Sequence, residues 1–294
     1  MTRSLRALLE GLIDYSGFAP PAALPIDETV HNSARYLAGE YRWLLGRSIV
    51  PLARLGEYES ALSALDGRET GNPWKLSGLT TGEAAADIEL IAEFHKRHGS
   101  RFVIDTVELK AGTPAAIRAL RPTVPAAIHA FVEIPAEGNL AELTATLAAS
   151  GLRAKMRTGG LTADGIPATD SVARFIVACN AARIPYKFTA GMHAPLRSIR
   201  KLTYAIDSPT TMMHGFINAF LAGALAHHGA DGATVRAVLD EQSPGAFEFT
   251  DEHAAWRDRK LTVEQIIAAR QFVRSLGSRS FTEPIEGLQE IGWI

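Results

Sequence analysis

The sequence predicts an α/β protein folded as a single (β/α)8 barrel, and three observations lead to this prediction. Strand-like runs alternate with helical runs along the 294 residues, which is typical of βαβ units around a parallel sheet. About eight strands can be counted, and eight strand–helix units fit a chain of this length. The competing open sheet lacks its nucleotide-binding signatures, because neither Gly-x-Gly-x-x-Gly after the first strand nor Gly-x-x-x-x-Gly-Lys-Ser/Thr occurs.

The strands are expected where β-branched and aromatic residues cluster between prolines, glycines and polar turns. The first is short because Pro20 and Pro21 end any regular element there, and Pro51 closes the second. In chain order, we predict strands in IDYSGFAPP, WLLGRSIVP, WKLSGLT, RFVIDTVELKAG, AIHAFVEIP, LRAKMRTGG, IPYKFTAG and AFEFTD.

The helices are expected where apolar residues recur at helical spacing between the strands. An extra N-terminal helix, LRALLEGL, precedes the first strand, and the C-terminal tail SFTEPIEGLQEIGWI is expected to be irregular. The other helices are predicted in IDETVHNSARYLAGEY, ARLGEYESALSAL, TGEAAADIELIAEFHKRHG, TPAAIRALRP, NLAELTATLAASG, TDSVARFIVACNAAR, SPTTMMHGFINAFLAGALAHHG, ATVRAVLDEQ and LTVEQIIAARQFVRSLG. No linker rich in Pro, Gly or Ser divides the chain, so residues 1–294 are predicted to be one domain.

Composition indicates a globular protein without a membrane or nucleic-acid partner. The hydrophobic share is 47%, and the formal net charge is only −2, which predicts no strongly charged surface. The N-terminus lacks a signal-peptide pattern, and no window holds about 18 uninterrupted apolar residues. The single cysteine, Cys179, excludes an intramolecular disulfide. We therefore expect a cytoplasmic protein that acts on a small molecule, with no cofactor and no resident metal.

A charged residue followed by a glycine recurs where the predicted strands end. The five segments are WKLSG, VELKAG, VEIPAEG, AKMRTGG and YKFTAG. In a barrel, the carboxyl ends of the strands and the loops that follow them form the active face. Glycine there permits tight turns or close approach of a ligand. Solvated charges would explain one such segment, but five favour a polar pocket.

Two of these segments place lysines, Lys155 and Lys187, at similar positions on neighbouring predicted strands. A lysine amine is a nucleophile only when it is unprotonated, and burial or a second cation nearby favours that form. Such a pair can form a Schiff base with a carbonyl substrate. Side chains two apart on a strand share a face, so Arg157 lies on the face of Lys155 and Thr189 on that of Lys187.

Schiff-base chemistry also needs a group that moves protons. On RFVIDTVELKAG, Asp105 and Glu108 lie on opposite faces, so the two are rival assignments for this role. Glu133 on AIHAFVEIP is a further candidate.

Five segments resemble the deoxyribose-phosphate aldolases, which are class I aldolases on (β/α)8 barrels. The segments are IDYSGFAPP at 13–21, IDTV at 104–107, VEIP at 132–135, AKMRTGG at 154–160 and YKFTAG at 186–191. The resemblance implies that Lys155 is the Schiff-base lysine, that Lys187 lowers its pKa, and that Asp105 relays protons. It implies a lyase that acts on a small carbonyl substrate. An anionic or phosphorylated substrate is compatible with RTGG at 157–160, which could present backbone amides and a guanidinium to an anion.

The chain is also similar, over nearly its whole length, to uncharacterised bacterial proteins with Lys-x-Arg-Thr-Gly-Gly, Lys-x-Thr-Ala-Gly-x-His and His-Gly-Phe-x-Asn segments. This second resemblance implies no activity. With the loops above, it marks a set of expected substrate-binding residues, namely Arg157, Thr158, Gly159, Gly160, Thr189, Gly191, His193, His214 and Asn218.

Two alternatives stay open. Glu133, His193 and His214 could serve a metal-dependent or acid/base isomerase or hydrolase, since imidazole and carboxylate suit zinc or iron. No HxH, HExxH or CxxC pattern supports a metal site. The other alternative is a non-catalytic ligand-binding barrel. The apolar segment 212–226 is a candidate surface for a homo-oligomer, and core burial explains it equally well.

Overall fold

A closed barrel of eight parallel strands forms the centre of the computed structural model, which describes residues 1–65, 73–99 and 101–294. Its first seven strands are β1 (Ile13–Tyr15), β2 (Leu45–Pro51), β3 (Trp74–Leu79), β4 (Phe102–Lys110), β5 (His129–Glu133), β6 (Arg153–Arg157) and β7 (Tyr186–Thr189). Five strands lie outside the barrel, namely β8 (Ser198–Lys201), β9 (Thr210–Met213), β10 (Phe247–Phe249), β11 (His253–Trp256) and β12 (Arg259–Thr262). The last strand, β13 (Val273–Ser278), pairs with both β7 and β1 and closes the barrel.

Helices alternate with the strands and surround the barrel. They are α1 (Arg3–Leu9), α2 (Ile26–Ala38), α3 (Leu55–Ser63), α4 (Ala84–His98), α5 (Pro114–Leu120), α6 (Leu140–Ala149), α7 (Thr169–Ala181), α8 (Phe216–His227), α9 (Gly232–Asp240), α10 (Val263–Ala269) and α11 (Thr282–Glu290). The predicted α/β fold, a (β/α)8 barrel formed by a single domain, is confirmed. No helix of the described part of the chain is both long and apolar enough to span a bilayer.

Local sequence signals start several helices. Thr113 caps α5 by accepting a hydrogen bond from the Ala116 amide, and Pro114 occupies the first turn, where its missing N–H costs nothing. Thr262 and Gln265 form a reciprocal capping box at the start of α10. These caps mark the points at which the strand-to-helix loops end.

The apolar core lies between the strands and the helices. On β7, the rings of Tyr186 and Phe188 face outward and meet Phe175 of α7, with centroids 5.6 and 5.9 Å apart. Phe220 of α8 packs on Phe188 at 6.0 Å. Because side chains alternate along a strand, this packing directs Lys187 into the barrel.

The eighth barrel strand differs from the prediction. AFEFTD supplies β10, which belongs to a three-stranded antiparallel sheet with β11 and β12 rather than to the barrel. The helix predicted over LTVEQIIAARQFVRSLG ends at Ala269, and its last residues form β13. The two open strand edges of the barrel determine this outcome, because pairing with both β1 and β7 outweighs local helical preference.

Two further predictions on the C-terminal half were wrong in part. The helix predicted from residue 208 begins only at Phe216, and Thr210–Met213 pairs instead with Ser198–Lys201 as a hairpin. The tail expected to be irregular contains helix α11. Every residue from Phe216 to Ala226 is buried within the chain, so core packing accounts for the apolar character of α8.

Candidate functional site

Lys155 and Lys187 face each other inside the barrel. They are direct partners in the β6–β7 register, and Glu133 is the partner of Lys155 in the β5–β6 register. The lysine side chains are 2% and 0% exposed. Neither could remain charged in such a place without a carboxylate partner, because an isolated ion is costly to bury.

Glu108 of β4 supplies that partner to both lysines. Its Oε2 accepts a hydrogen bond from Lys155 Nζ at 2.9 Å, and its Oε1 accepts one from Lys187 Nζ at 2.7 Å. Ser77 of β3 donates a third bond to Oε1 at 3.0 Å. Burial opposes the charge of Glu108, but the two lysines outweigh it and hold the pKa of this carboxyl far below its usual range.

Asp14 and Glu133 extend this arrangement on either side. Lys187 Nζ lies 2.5 Å from Asp14 Oδ2, which also accepts a hydrogen bond from Ser275 at 2.6 Å. Burial disfavours the charge of Lys187, yet Asp14 and Glu108 raise its pKa above the ordinary value. Lys155 Nζ lies 3.0 Å from Glu133 Oε2. The result is a row of alternating charge, which we call the charge row: Asp14, Lys187, Glu108, Lys155 and Glu133.

Asp105 does not join the charge row. A register shift lets β4 accommodate one extra residue, so that Leu76 pairs with Ile104 and Ser77 already with Thr106. Asp105 is this residue, and its carboxylate receives two hydrogen bonds from Arg47, at 2.5 and 2.8 Å. Burial opposes its charge, but Arg47 keeps the pKa of Asp105 below its usual value. Of the two rival assignments on β4, it is therefore Glu108 that meets the lysines.

A cavity of about 420 Å³ lies next to the charge row, and Lys155 and Glu108 of the row line it. Leu79, Thr189 and Gly277 lie near the carboxyl ends of their strands and line it, which places it on the usual active face of a barrel. Most of its other walls are apolar or glycine. The remaining charged or titratable side chains that line it are Arg157, His193 and Arg279.

The glycines of the two lysine segments bring their loops together. A Cβ on Gly159 would lie 2.4 Å from the Gly191 Cα, and one on Gly191 would lie 2.4 Å from the Thr158 carbonyl oxygen. Gly191 also has a φ of +79°, which favours glycine. Thr158 fastens the contact by donating to the Ala190 carbonyl at 2.7 Å. Gly160, beside them, also lines the cavity.

His193 enters the cavity wall as a neutral base. Arg279 donates a hydrogen bond to its Nε2 at 2.7 Å, which requires the ring proton to be on Nδ1. Burial, followed by the charge of Arg279, lowers the pKa of His193 to about 3. Its Nδ1 lies 3.7 Å from Glu283 of α11. His193 therefore serves to position Arg279 at the cavity.

His214 and Asn218 lie outside the cavity. His214 Nε2 bonds to the Pro167 carbonyl at 2.8 Å, and burial lowers its pKa. Asn218 accepts from the Arg197 amide at 3.0 Å and donates to the carbonyls of Val238 and Glu241. Both residues thus connect backbone segments. Within residues 1–65, 73–99 and 101–294, no three His, Cys, Asp or Glu side chains are grouped to hold a metal ion, so the set Glu133, His193 and His214 is not assembled.

Four residues of the site were missed by the sequence analysis. Asp14, Ser77 and Ser275 support the lysines, and Arg279 lines the cavity. Asp14 lies in the IDY segment already matched to an aldolase strand, so its charge was a usable signal. Ser275 was hidden because its segment was predicted to be helical, and Arg279 lay between that predicted helix and the predicted tail, where no element was expected.

Comparison with known proteins assigns no family. No protein-family model matches the chain, and no curated protein matches it at a significant level.

Proposed function

We propose that this barrel is a carbon–carbon lyase of the class I aldolase type, with Lys155 as the Schiff-base lysine. One observation carries the proposal. Lys155 lines the 420 Å³ cavity, and its Nζ lies between the carboxylates of Glu108 and Glu133, 2.9 and 3.0 Å away. A buried amine with carboxylates in hydrogen-bond reach has both the nucleophile and the proton carriers that imine formation requires.

The proposed reaction begins when Lys155 gives up a proton and adds to the substrate carbonyl carbon. A carboxylic acid returns a proton to the carbinolamine oxygen, and water leaves to give an iminium ion. The iminium then accepts the electron pair of the bond between the α and β carbons and becomes an enamine, while a carboxylate removes the proton of the β-hydroxyl and the β carbon departs as an aldehyde. Protonation of the enamine α carbon and addition of water release the second product and restore Lys155. Glu108 lines the cavity and is placed to meet the substrate, and Glu133, which is 14% exposed and 3.0 Å from Lys155 Nζ, is placed to exchange protons with that amine.

Lys187 acts through Glu108 in this proposal. Each lysine bonds to a different oxygen of the Glu108 carboxylate, which therefore separates the two ammonium groups. Lys187 keeps Glu108 ionised and oriented, and Glu108 in turn orients the Lys155 amine. The resemblance to deoxyribose-phosphate aldolases assigns Lys187 a direct effect on the pKa of Lys155. The hydrogen bonds instead favour an indirect role, in which Lys187 acts on Lys155 through the Glu108 carboxylate that both lysines contact.

The cavity supports a small carbonyl substrate with an anionic group. Its volume of about 420 Å³ lies near the lower end of the range that is typical of small-molecule sites. Arg157 and Arg279 border it, and a guanidinium binds carboxylate or phosphate in a bidentate manner. Thr189 adds a hydroxyl on the same wall.

Borohydride trapping tests the proposal. We expect reduction with a panel of small aldehydes and ketones, including anionic ones, to add the mass of the carbonyl compound less its oxygen atom to the peptide that contains Lys155. Lys155→Met should lose the adduct, whereas Lys110→Met should keep it, because Lys110 is an exposed lysine at the end of β4. If the whole panel leaves Lys155 unmodified, or if the adduct persists in Lys155→Met, the Schiff-base assignment is wrong.

A further inference from the structure

A second cavity lies at the opposite end of the barrel and is strongly basic. It has a volume of about 950 Å³ and opens among the amino-terminal ends of the strands. Arg153 is the first residue of β6, and Arg274 and Lys75 are the second residues of β13 and β3. Basic side chains outnumber acidic ones by eight to two in its lining. This excess contrasts with the net charge of −2 for the whole chain.

Part of this basic charge has a structural role. Arg47 is paired with Asp105. Arg270 is engaged by the main chain, since it donates to the carbonyls of Val273, Arg274 and Glu10. These two side chains stabilise the strand ends and need no ligand.

Arg153, Arg274 and Lys75 differ from that pair. Among the described residues, none of the three has a carboxylate within salt-bridge distance. The Arg153 side chain makes no hydrogen bond there, and its guanidinium carbon lies 5.6 Å from the centre of the Phe131 ring. Arg274 uses only Nη1, which donates to the Arg270 carbonyl and to Gln271 Oε1. Burial and then the charges of Arg274 and Arg47 lower the pKa of Arg153 to about 10, which reflects cations crowded around one space.

Arg153, Arg274 and Lys75 come from three separate strands and line one concave space, so a compact ligand with several negative charges could contact them together. We propose that the amino-terminal cavity binds a small polyanion with two or more phosphate groups. Guanidinium forks suit phosphate oxygens, and a lysine adds a point charge. A concave, partly apolar site of this size favours a small molecule over a nucleic-acid strand. This inference does not rest on the proposed lyase activity.

The charge row separates the two cavities. Asp14 and Ser275 line the basic cavity, Glu108 and Lys155 line the upper one, and Lys187 bonds to both Asp14 and Glu108. The two sites are therefore distinct. A ligand of the basic cavity should not prevent borohydride trapping at Lys155.

Calorimetric titration of the full chain with inorganic tripolyphosphate tests the proposal. We expect saturable binding of one ligand that weakens as salt rises. Arg153→Gln and Lys75→Gln should each weaken it about tenfold, as expected for the loss of one charge-assisted contact. Arg118→Gln is the matched control, because Arg118 is exposed on α5, outside the cavity, and its loss should leave the affinity unchanged.

Other ligands and a folding check complete the experiment. Tighter binding of ATP than of tripolyphosphate would place a nucleoside in the site, and tighter binding of tripolyphosphate than of ATP would favour an inorganic chain. Thermal melts would show that each variant is folded, and Lys75→Gln is the safer variant because its side chain is exposed. The proposal is overturned if tripolyphosphate does not saturate, if Arg118→Gln weakens binding as much as Arg153→Gln, or if citrate or a single-stranded oligonucleotide binds more tightly.

Discussion

The residues that fill the barrel interior are charged where many barrels carry branched apolar side chains. Lys187 shows what this costs and how it is offset. It is fully buried, and its ion pairs with Asp14 and Glu108 offset the cost of burying its charge. Apolar residues of similar volume often replace such buried pairs without loss of stability. The charge row is therefore better explained by function than by stability, and buried groups with shifted pKa values are common at active sites.

Lys187→Met should be strongly destabilising, because it leaves Asp14 and Glu108 as buried carboxylates with too little positive charge. We expect a loss of about 3–5 kcal/mol in the free energy of unfolding, measured by urea denaturation. The double variant Lys187→Met with Asp14→Asn should lose less than the sum of the two single variants.

Lys110→Met provides the control for this double-mutant cycle, since that lysine is exposed and should change stability by less than about 0.5 kcal/mol. Strict additivity of the Lys187 and Asp14 substitutions would contradict the charge row as described.

At the level of the elements, the two lysine strands are held in register by the loops that follow them. Gly159 and Gly191 bring the β6 and β7 loops into backbone contact, and Thr158 adds a hydrogen bond between them. The contact between the loops therefore helps to keep Lys155 and Lys187 side by side, in addition to the β6–β7 backbone pairing, in which the two residues are direct partners.

Gly159→Ala should separate these loops. The new methyl group would lie 2.4 Å from the Gly191 Cα, so the backbone must move, and we expect a destabilisation of about 1–3 kcal/mol by urea denaturation. Gly56→Ala is the matched control. It lies in α3 with open space around it and should stabilise the protein by about 0.5–1 kcal/mol. Equal effects of the two substitutions would show that the loop contact is not tight.

The sequence predicted the barrel and the lysine pair because both leave local signals. Alternation of strands and helices is visible along the chain, and each lysine is followed by a glycine-containing turn. The choice between Asp105 and Glu108 could not be made, since it depends on a register shift in β4 that simple alternation of side chains does not reveal. The last strand was missed because VRSLGS continues a helical pattern and becomes a strand only through pairing with β1 and β7.

The basic cavity was invisible in the sequence for a related reason. Arg47, Arg153 and Arg274 are separated by more than a hundred residues each and stand in unrelated local contexts. Only closure of the barrel brings the starts of their strands around one opening. The carboxyl ends of the strands can be recognised in the sequence by the glycine-containing turns that follow them. The amino-terminal ends, around which the basic cavity lies, carry no comparable motif.

For the whole molecule, closure of the barrel depends on the last part of the chain. β13 pairs with β1 across most of the sequence and supplies Ser275 to Asp14. A chain that ends at Arg270 would leave β1 and β7 with open edges and would remove one support of the charge row. Unpaired edges of this kind promote association with other chains.

We therefore expect the chain truncated after Arg270 to show no cooperative thermal transition by circular dichroism and to aggregate. Truncation after Glu290 is the control, because it retains β13 and α11 and removes only the final segment, in which Trp293 packs on Phe249 with ring centroids 5.0 Å apart. That variant should melt cooperatively at a temperature lower by several degrees. Co-expression of residues 271–294 as a separate peptide should restore the transition of the shorter chain, since the missing strand has a partner on each side. A cooperative, monomeric transition without the peptide would mean that seven strands suffice, and that β13 contributes to the site without being needed for the fold.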